Sequence, residues 1–137
     1  MKHIKKVSTK IRKRLDNRNK SRDRALYGKE YSLSLSGCCA IASVMLFEEL
    51  SKLNISCKLA LSENSDYDHV FVMIGNTVVD ITATQFGNFK KVEIVDISAD
   101  GNKKDFWEVS KVFDKPSELV AYQKQSGWSN DQIANLL

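Results

Sequence analysis

Two short apolar runs, His69-Val70-Phe71-Val72-Met73-Ile74 and Thr77-Val78-Val79-Asp80-Ile81, flank the dipeptide Gly75-Asn76, and this arrangement constrains the chain more than any other. Gly-Asn between runs rich in β-branched residues fits a two-residue hairpin turn. With that loop Ile74 pairs with Thr77, which sets Phe71 opposite Asp80 and His69 opposite Thr82. Period-2 alternation then puts His69, Phe71, Met73, Val78, Asp80 and Thr82 on one face of the sheet. Val70, Val72, Ile74, Val79 and Ile81 occupy the other, which is apolar apart from Thr77 at the turn. His69 and Asp80 become diagonal neighbours, about 7–8 Å apart at the backbone and within reach of each other's side chains. A carboxylate inside Val-Val-Asp-Ile is expensive to bury alone, so its position demands a partner.

The hairpin needs a layer to cover its apolar face. Gly37 to Leu53 supplies one: the segment is apolar on nearly all sides through Phe47 and amphipathic beyond, the pattern of a helix whose first half is buried. Asn54 suits its C-terminus. Ile55 to Leu61 reads as a strand, Lys91 to Ile97 as another, and Phe106 to Phe113 as a weaker one around Trp107. Pro116 at a first helical turn, with Gly127 as a stop signal, marks a helix over Ser117 to Gln125, and Ser129-Asn130-Asp131-Gln132 has the spacing of a capping box for a short last one. The expected fold class is α+β, a buried helix packed on an antiparallel sheet built around the 69–82 hairpin.

A chain of 137 residues holds one ordinary core. Its net charge of +4 conceals a division: residues 1–30 carry twelve Lys and Arg against Asp16, Asp23 and Glu30, whereas residues 31–137 carry nine against fourteen acidic residues. Ile4, Val7, Ile11 and Leu15 recur at helical spacing among those charges, so residues 4–24 read as basic amphipathic helix. The expected organisation is a basic helical leader over 1–30 on an acidic body over 31–137, within a single domain overall. The basic segment 2–24 suits RNA, DNA, anionic lipid or an acidic protein equally on charge, and no interleaved aromatic residues favour base stacking. No apolar run approaches the roughly 20 residues needed to span a bilayer. The charged start lacks the apolar stretch of a signal peptide, and three cysteines, two of them adjacent, make no disulfide framework; both point to a reducing, cytoplasmic setting, in the producing cell or a target cell.

A thiol serves as a nucleophile in its thiolate form, which a helix N-terminus and a neighbouring imidazole both favour. Cys39 sits where the buried helix should begin. An imidazole that shares a proton with a thiolate needs its other nitrogen held by an acceptor, and the hairpin offers His69 and Asp80 on one face. The segments Ser36-Gly37-Cys38-Cys39-Ala40-Ile41-Ala42-Ser43, Asp68-His69-Val70-Phe71-Val72 and Val79-Asp80-Ile81-Thr82-Ala83-Thr84-Gln85-Phe86 resemble, in order and spacing, the transglutaminase-like and papain-fold cysteine enzymes. They are especially similar to the small papain-fold toxin and protein-glutamine deamidase group. The resemblance covers roughly residues 36–90. It implies a papain-like core with Cys39 as nucleophile, His69 as general base and acid and Asp80 as orienting carboxylate. The resemblance prefers Cys39 to Cys38, because the family's glycine stands two residues before the nucleophile and Gly37 meets that for Cys39. The chain departs from the pattern in having no Gln among residues 31–36, Ala40 where a Trp often follows the nucleophile, and Ile81 where a Pro is common, which leaves the Cys39 backbone N–H as first candidate for the oxyanion.

The activity implied is cysteine-dependent acyl transfer on an amide of a protein substrate, by glutamine deamidation or transglutamination, with no cofactor. A cysteine peptidase or cell-wall amidopeptidase is the alternative within enzymes, and a non-catalytic module working through its basic helix is the alternative outside them. Cys38 and Cys57 read as small buried hydrophobes. Cys38, Cys39, His3 and His69 lack zinc-type spacing, so no metal site is expected, and no Gly-rich phosphate loop is present.

Overall fold

A computed structural model describes residues 2–27, 39–63, 68–98 and 106–125. It is α+β: helix α1 (Lys2–Tyr27), helix α2 (Cys39–Lys52), strands β1 (Lys58–Glu63), β2 (Asp68–Ile74), β3 (Thr77–Asp80), β4 (Glu93–Asp96) and β5 (Lys111–Phe113), and helix α3 (Pro116–Gln125). The strands form one antiparallel sheet in the order β4-β3-β2-β1-β5.

The hairpin has the expected register, Ile74 opposite Thr77, Met73 opposite Val78 and Val72 opposite Val79. Gly75 takes φ +59 while Asn76 does not turn positive, the pattern of a type II′ turn with glycine at its first central position. Alternation sorts the side chains as the sequence requires. Val70, Val72, Val79 and Ile81 face a core shared with Ala42, Leu46 and Leu50 of α2, and Leu119 and Val120 of α3 join the same core. Phe71, Met73 and Val78 face a second cluster with Ala83 and Trp107. The sheet is thus covered on both sides, by helices on one and by the aromatic-rich segment between β3 and β5 on the other.

Three boundaries differ from the sequence pattern, and hydrogen bonding explains the first. Asn54 adopts φ 60 and its N–H donates to Ser51 O, while the Ile55 N–H donates to Leu50 O. These are the two bonds of a Schellman cap. With the Ile55 N–H spent on the helix, β1 starts only at Lys58 and runs on to Glu63, pairing with β2 through Ser62 opposite His69. β5 is confined to Lys111–Phe113 because Phe106 and Trp107 form a turn whose rings go under the sheet. β4 is shorter than its apolar run, Glu93–Asp96. The short last helix expected from the capping box at Ser129 lies outside the described residues.

α1 is one continuous helix, and its thin stripe is enough to seat it. Ile11 and Leu15 are 1% exposed within the main core, Ile4 and Val7 pack at its edge, and Ser8, fully buried with its hydroxyl donated to Ile4 O, lets the helix approach closely. The basic N-terminal segment therefore contributes to the core. Among the described residues no helix is long and apolar enough to cross a membrane. Truncating Ile11 to Ala should lower the unfolding free energy by about 2–4 kcal/mol in urea titrations; an unchanged midpoint would show that α1 is only an appendage.

Candidate active site

Asp80 stands at the end of β3 with its carboxylate buried and fully engaged. Oδ2 accepts from His69 Nε2 at 2.6 Å and from Trp107 Nε1 at 2.8 Å. Oδ1 accepts from the Thr82 backbone N–H at 2.9 Å and, at 3.4 Å, from its hydroxyl. Four donors occupy the lone-pair directions of one carboxylate, which is how a charge is tolerated there. The partner that the sequence position demands is thus His69, reinforced by a residue whose role the sequence did not show.

His69 has no exposed surface. Phe86 stands edge-on to its ring at 4.7 Å between centroids, with Phe106 at 5.2 Å and Phe71 at 5.8 Å. Burial works against the charged ring, but hydrogen bonding to Asp80, then to Cys39, and the charges of both outweigh it and raise the imidazole from 6.5 to about 9. With Nε2 committed to Asp80, Nδ1 is the nitrogen left for the thiol. In the resting chain it completes no hydrogen bond of regular geometry, so the thiol acts on the ring at a looser approach; such contacts commonly tighten when substrate binds.

Cys39 is the first described residue of α2. Its side chain is 6% exposed and belongs to the helix-side core. His69 points to the other face of the sheet, and the end of the sheet is what lets them interact. The β2–β3 ladder stops at Val72 opposite Val79, so His69 has β1 on one flank and no paired strand on the other. Ser43, one turn beyond Cys39 on the same helix face, donates its hydroxyl to Val70 O at 3.0 Å and fastens α2 to β2 beside His69. The structure therefore pairs His69 directly with Asp80 and places Cys39 near enough to bear on the ring's proton affinity, without a regular hydrogen bond to it.

Two contributors were missed. Trp107 reaches Asp80 across 27 positions of sequence, and its only signal was that a large ring with one donor needs a partner when buried. Arg12 is 7% exposed; its Nη1 donates to Ile81 O at 2.8 Å, Thr84 Oγ1 at 3.1 Å and Lys91 O at 3.2 Å, and its Nε to Asp16 at 3.0 Å. It pins the segment leaving Asp80 to α1, and nothing distinguished it among the many cations of residues 1–30. Cys57 lies elsewhere, half-buried with its thiol directed at Phe47 O; burial pushes it up in pKa despite a hydrogen bond with Ser51. Cys38 and Gly37 lie outside the described residues. Among the described residues no three His, Cys, Asp or Glu side chains are grouped to hold a metal ion.

No match was found to protein-family models, to curated proteins or to solved structures.

The ring's proton is held more tightly in the folded chain than in the unfolded one, so it stabilises the fold fully below pH 6.5, and that contribution is lost as pH rises through about 9. Asp80→Asn leaves burial unopposed by a carboxylate, and the His69 Cε1–H resonance should then titrate well below its native midpoint. His3 is the only other histidine, which simplifies assignment. The decline in stability between pH 6.5 and 9 should vanish in the same variant; a His69 midpoint unmoved by Asp80→Asn contradicts the pairing.

Proposed function

We propose that the protein catalyses cysteine-dependent acyl transfer on an amide, the side-chain carboxamide of a protein glutamine, with Cys39, His69 and Asp80 as its triad in a papain-like, transglutaminase-like core. The observation that carries this reading is the buried His69–Asp80 pair at 2.6 Å whose ring is also raised in pKa by Cys39 at the start of α2. Cys39 attacks the carboxamide carbon as the thiolate, its proton held by His69, and the oxyanion that forms is met by the Cys39 backbone N–H at the head of the helix. His69, protonated at neutral pH, gives its proton to the departing ammonia as the tetrahedral species collapses to a thioester. Water then attacks with His69 as base and yields glutamate, or a lysine amine attacks and yields an isopeptide bond.

Two features support an unbranched side chain over a main-chain amide as substrate. Cys39 has only 6% of its surface exposed, and the half-buried rings of Phe86 and Phe106 stand against His69. A slender carboxamide reaches a recessed sulfur more readily than a folded peptide backbone does, which ranks deamidation or cross-linking above peptidase activity.

The complete burial of His69 favours one other reading, in which the Asp80 network is a structural brace at the end of β2 and β3 and the domain is a binding module. Ammonia release from a glutamine-containing peptide, with and without an added primary amine, separates the two. Cys39→Ala should lower the rate at least about 1,000-fold while Cys57→Ala leaves it unchanged, and kcat/KM should fall on the alkaline side with an apparent value about 9 as the imidazolium is lost. Full activity in Cys39→Ala sinks the assignment; absence of ammonia release, amine incorporation and peptide cleavage together favours the brace.

A further inference from the structure

The flank of α1 beside its apolar stripe forms one wall of a groove of about 450 Å³, whose other wall is the segment Lys90-Lys91-Val92. Lys5, Thr9 and Lys13 project from the helix wall at one-turn intervals, and Arg12 and Asp16 close the floor. The floor is neutral, because Arg12 and Asp16 form an ion pair at 3.0 Å, and Nη1 of the guanidinium is turned to Ile81 O, Thr84 Oγ1 and Lys91 O. The walls are not. Lys5, Lys13, Lys90 and Lys91 are exposed, and among the described residues no carboxylate lies within ion-pair distance of their ammonium groups. Four unopposed cations on two walls of one groove create a focused positive potential.

From this we propose that the groove between α1 and Lys90–Lys91 binds an acidic polypeptide segment in extended form. The helix rises about 12 Å from Lys5 to Lys13, the span of roughly four extended residues, so alternate carboxylates of such a segment meet lysines on both walls. Nucleic acid fits less well, because the groove has no aromatic side chain on which a base could stack. Lysine heads, as rotatable point charges, suit carboxylates presented at variable positions along a strand. The groove is apart from the Cys39 site, so this proposal stands whether or not the chain is an enzyme.

Fluorescence anisotropy with a labelled hexaglutamate peptide and the whole chain provides the test, beside a twelve-nucleotide oligothymidylate and vesicles of mixed neutral and anionic phospholipid. Saturable binding of the peptide that weakens with salt is expected, with at least a tenfold loss in the double variants Lys5→Glu/Lys13→Glu and Lys90→Glu/Lys91→Glu and no more than a twofold change in Lys115→Glu/Lys124→Glu, which makes the same change in net charge at exposed positions outside the groove. If a charge reversal unfolds the chain, Lys→Gln at the same positions gives the comparison. No binding of the peptide overturns the proposal, as does an equal loss in Lys115→Glu/Lys124→Glu, which would mark a response to net charge alone. Tighter binding of the oligonucleotide or the vesicles than of the peptide, through the same lysines, overturns it in favour of that partner.

Discussion

The carboxylate of Asp80 is the point on which the rest of the structure depends. It is placed at the end of an interior strand, and in that setting an unpaired charge is costly enough to forbid the fold. Four donors from three segments answer it: His69 from β2, Thr82 from the chain that follows, and Trp107 from the distant turn before β5. Satisfying one charge thus ties together parts of the chain that hydrophobic burial alone would leave loosely ordered. It also fixes the tautomer and orientation of the imidazole, which leaves Nδ1 as the nitrogen available to a thiol.

A second layer of support comes from the helices. Ser43 fastens α2 to the strand beside His69, and Arg12 fastens α1 to the segment leaving Asp80. Each uses a side chain to satisfy a backbone carbonyl that the end of the sheet leaves unpaired, which converts a ragged strand end into a defined one. The basic helix therefore has two faces with separate roles. One carries Ile11, Leu15 and Arg12 into the body of the domain, and the other presents lysines to solvent across from Lys90 and Lys91.

What could be read from the sequence is what local periodicity encodes. The hairpin, its register, the faces of His69 and Asp80 and the presence of α2 follow from alternation, one turn dipeptide and one helical pattern. Trp107 and Arg12 were not legible, since their bonds to Asp80 and Ile81 span 27 and 69 positions and no short pattern announces them. The late start of β1 had a readable cause only in part: Asn54 signals a cap, but that the cap would consume the Ile55 N–H depends on the Schellman geometry itself. The placement of Cys39 relative to His69 was expected from chemistry, whereas its physical route, around an unpaired flank at the end of the β2–β3 ladder, required the tertiary structure.

The central claim is that the thiol of Cys39 and the ring of His69 share one electrostatic site. An NMR titration of the His69 ring in the native chain and in Cys39→Ala measures this coupling without a substrate. The account predicts a midpoint about 9 in the native chain and a clearly lower one in the variant, because the hydrogen bond and charge of Cys39 are then gone while Asp80 remains. The same midpoint in both proteins would contradict it and leave His69 as a partner of Asp80 alone.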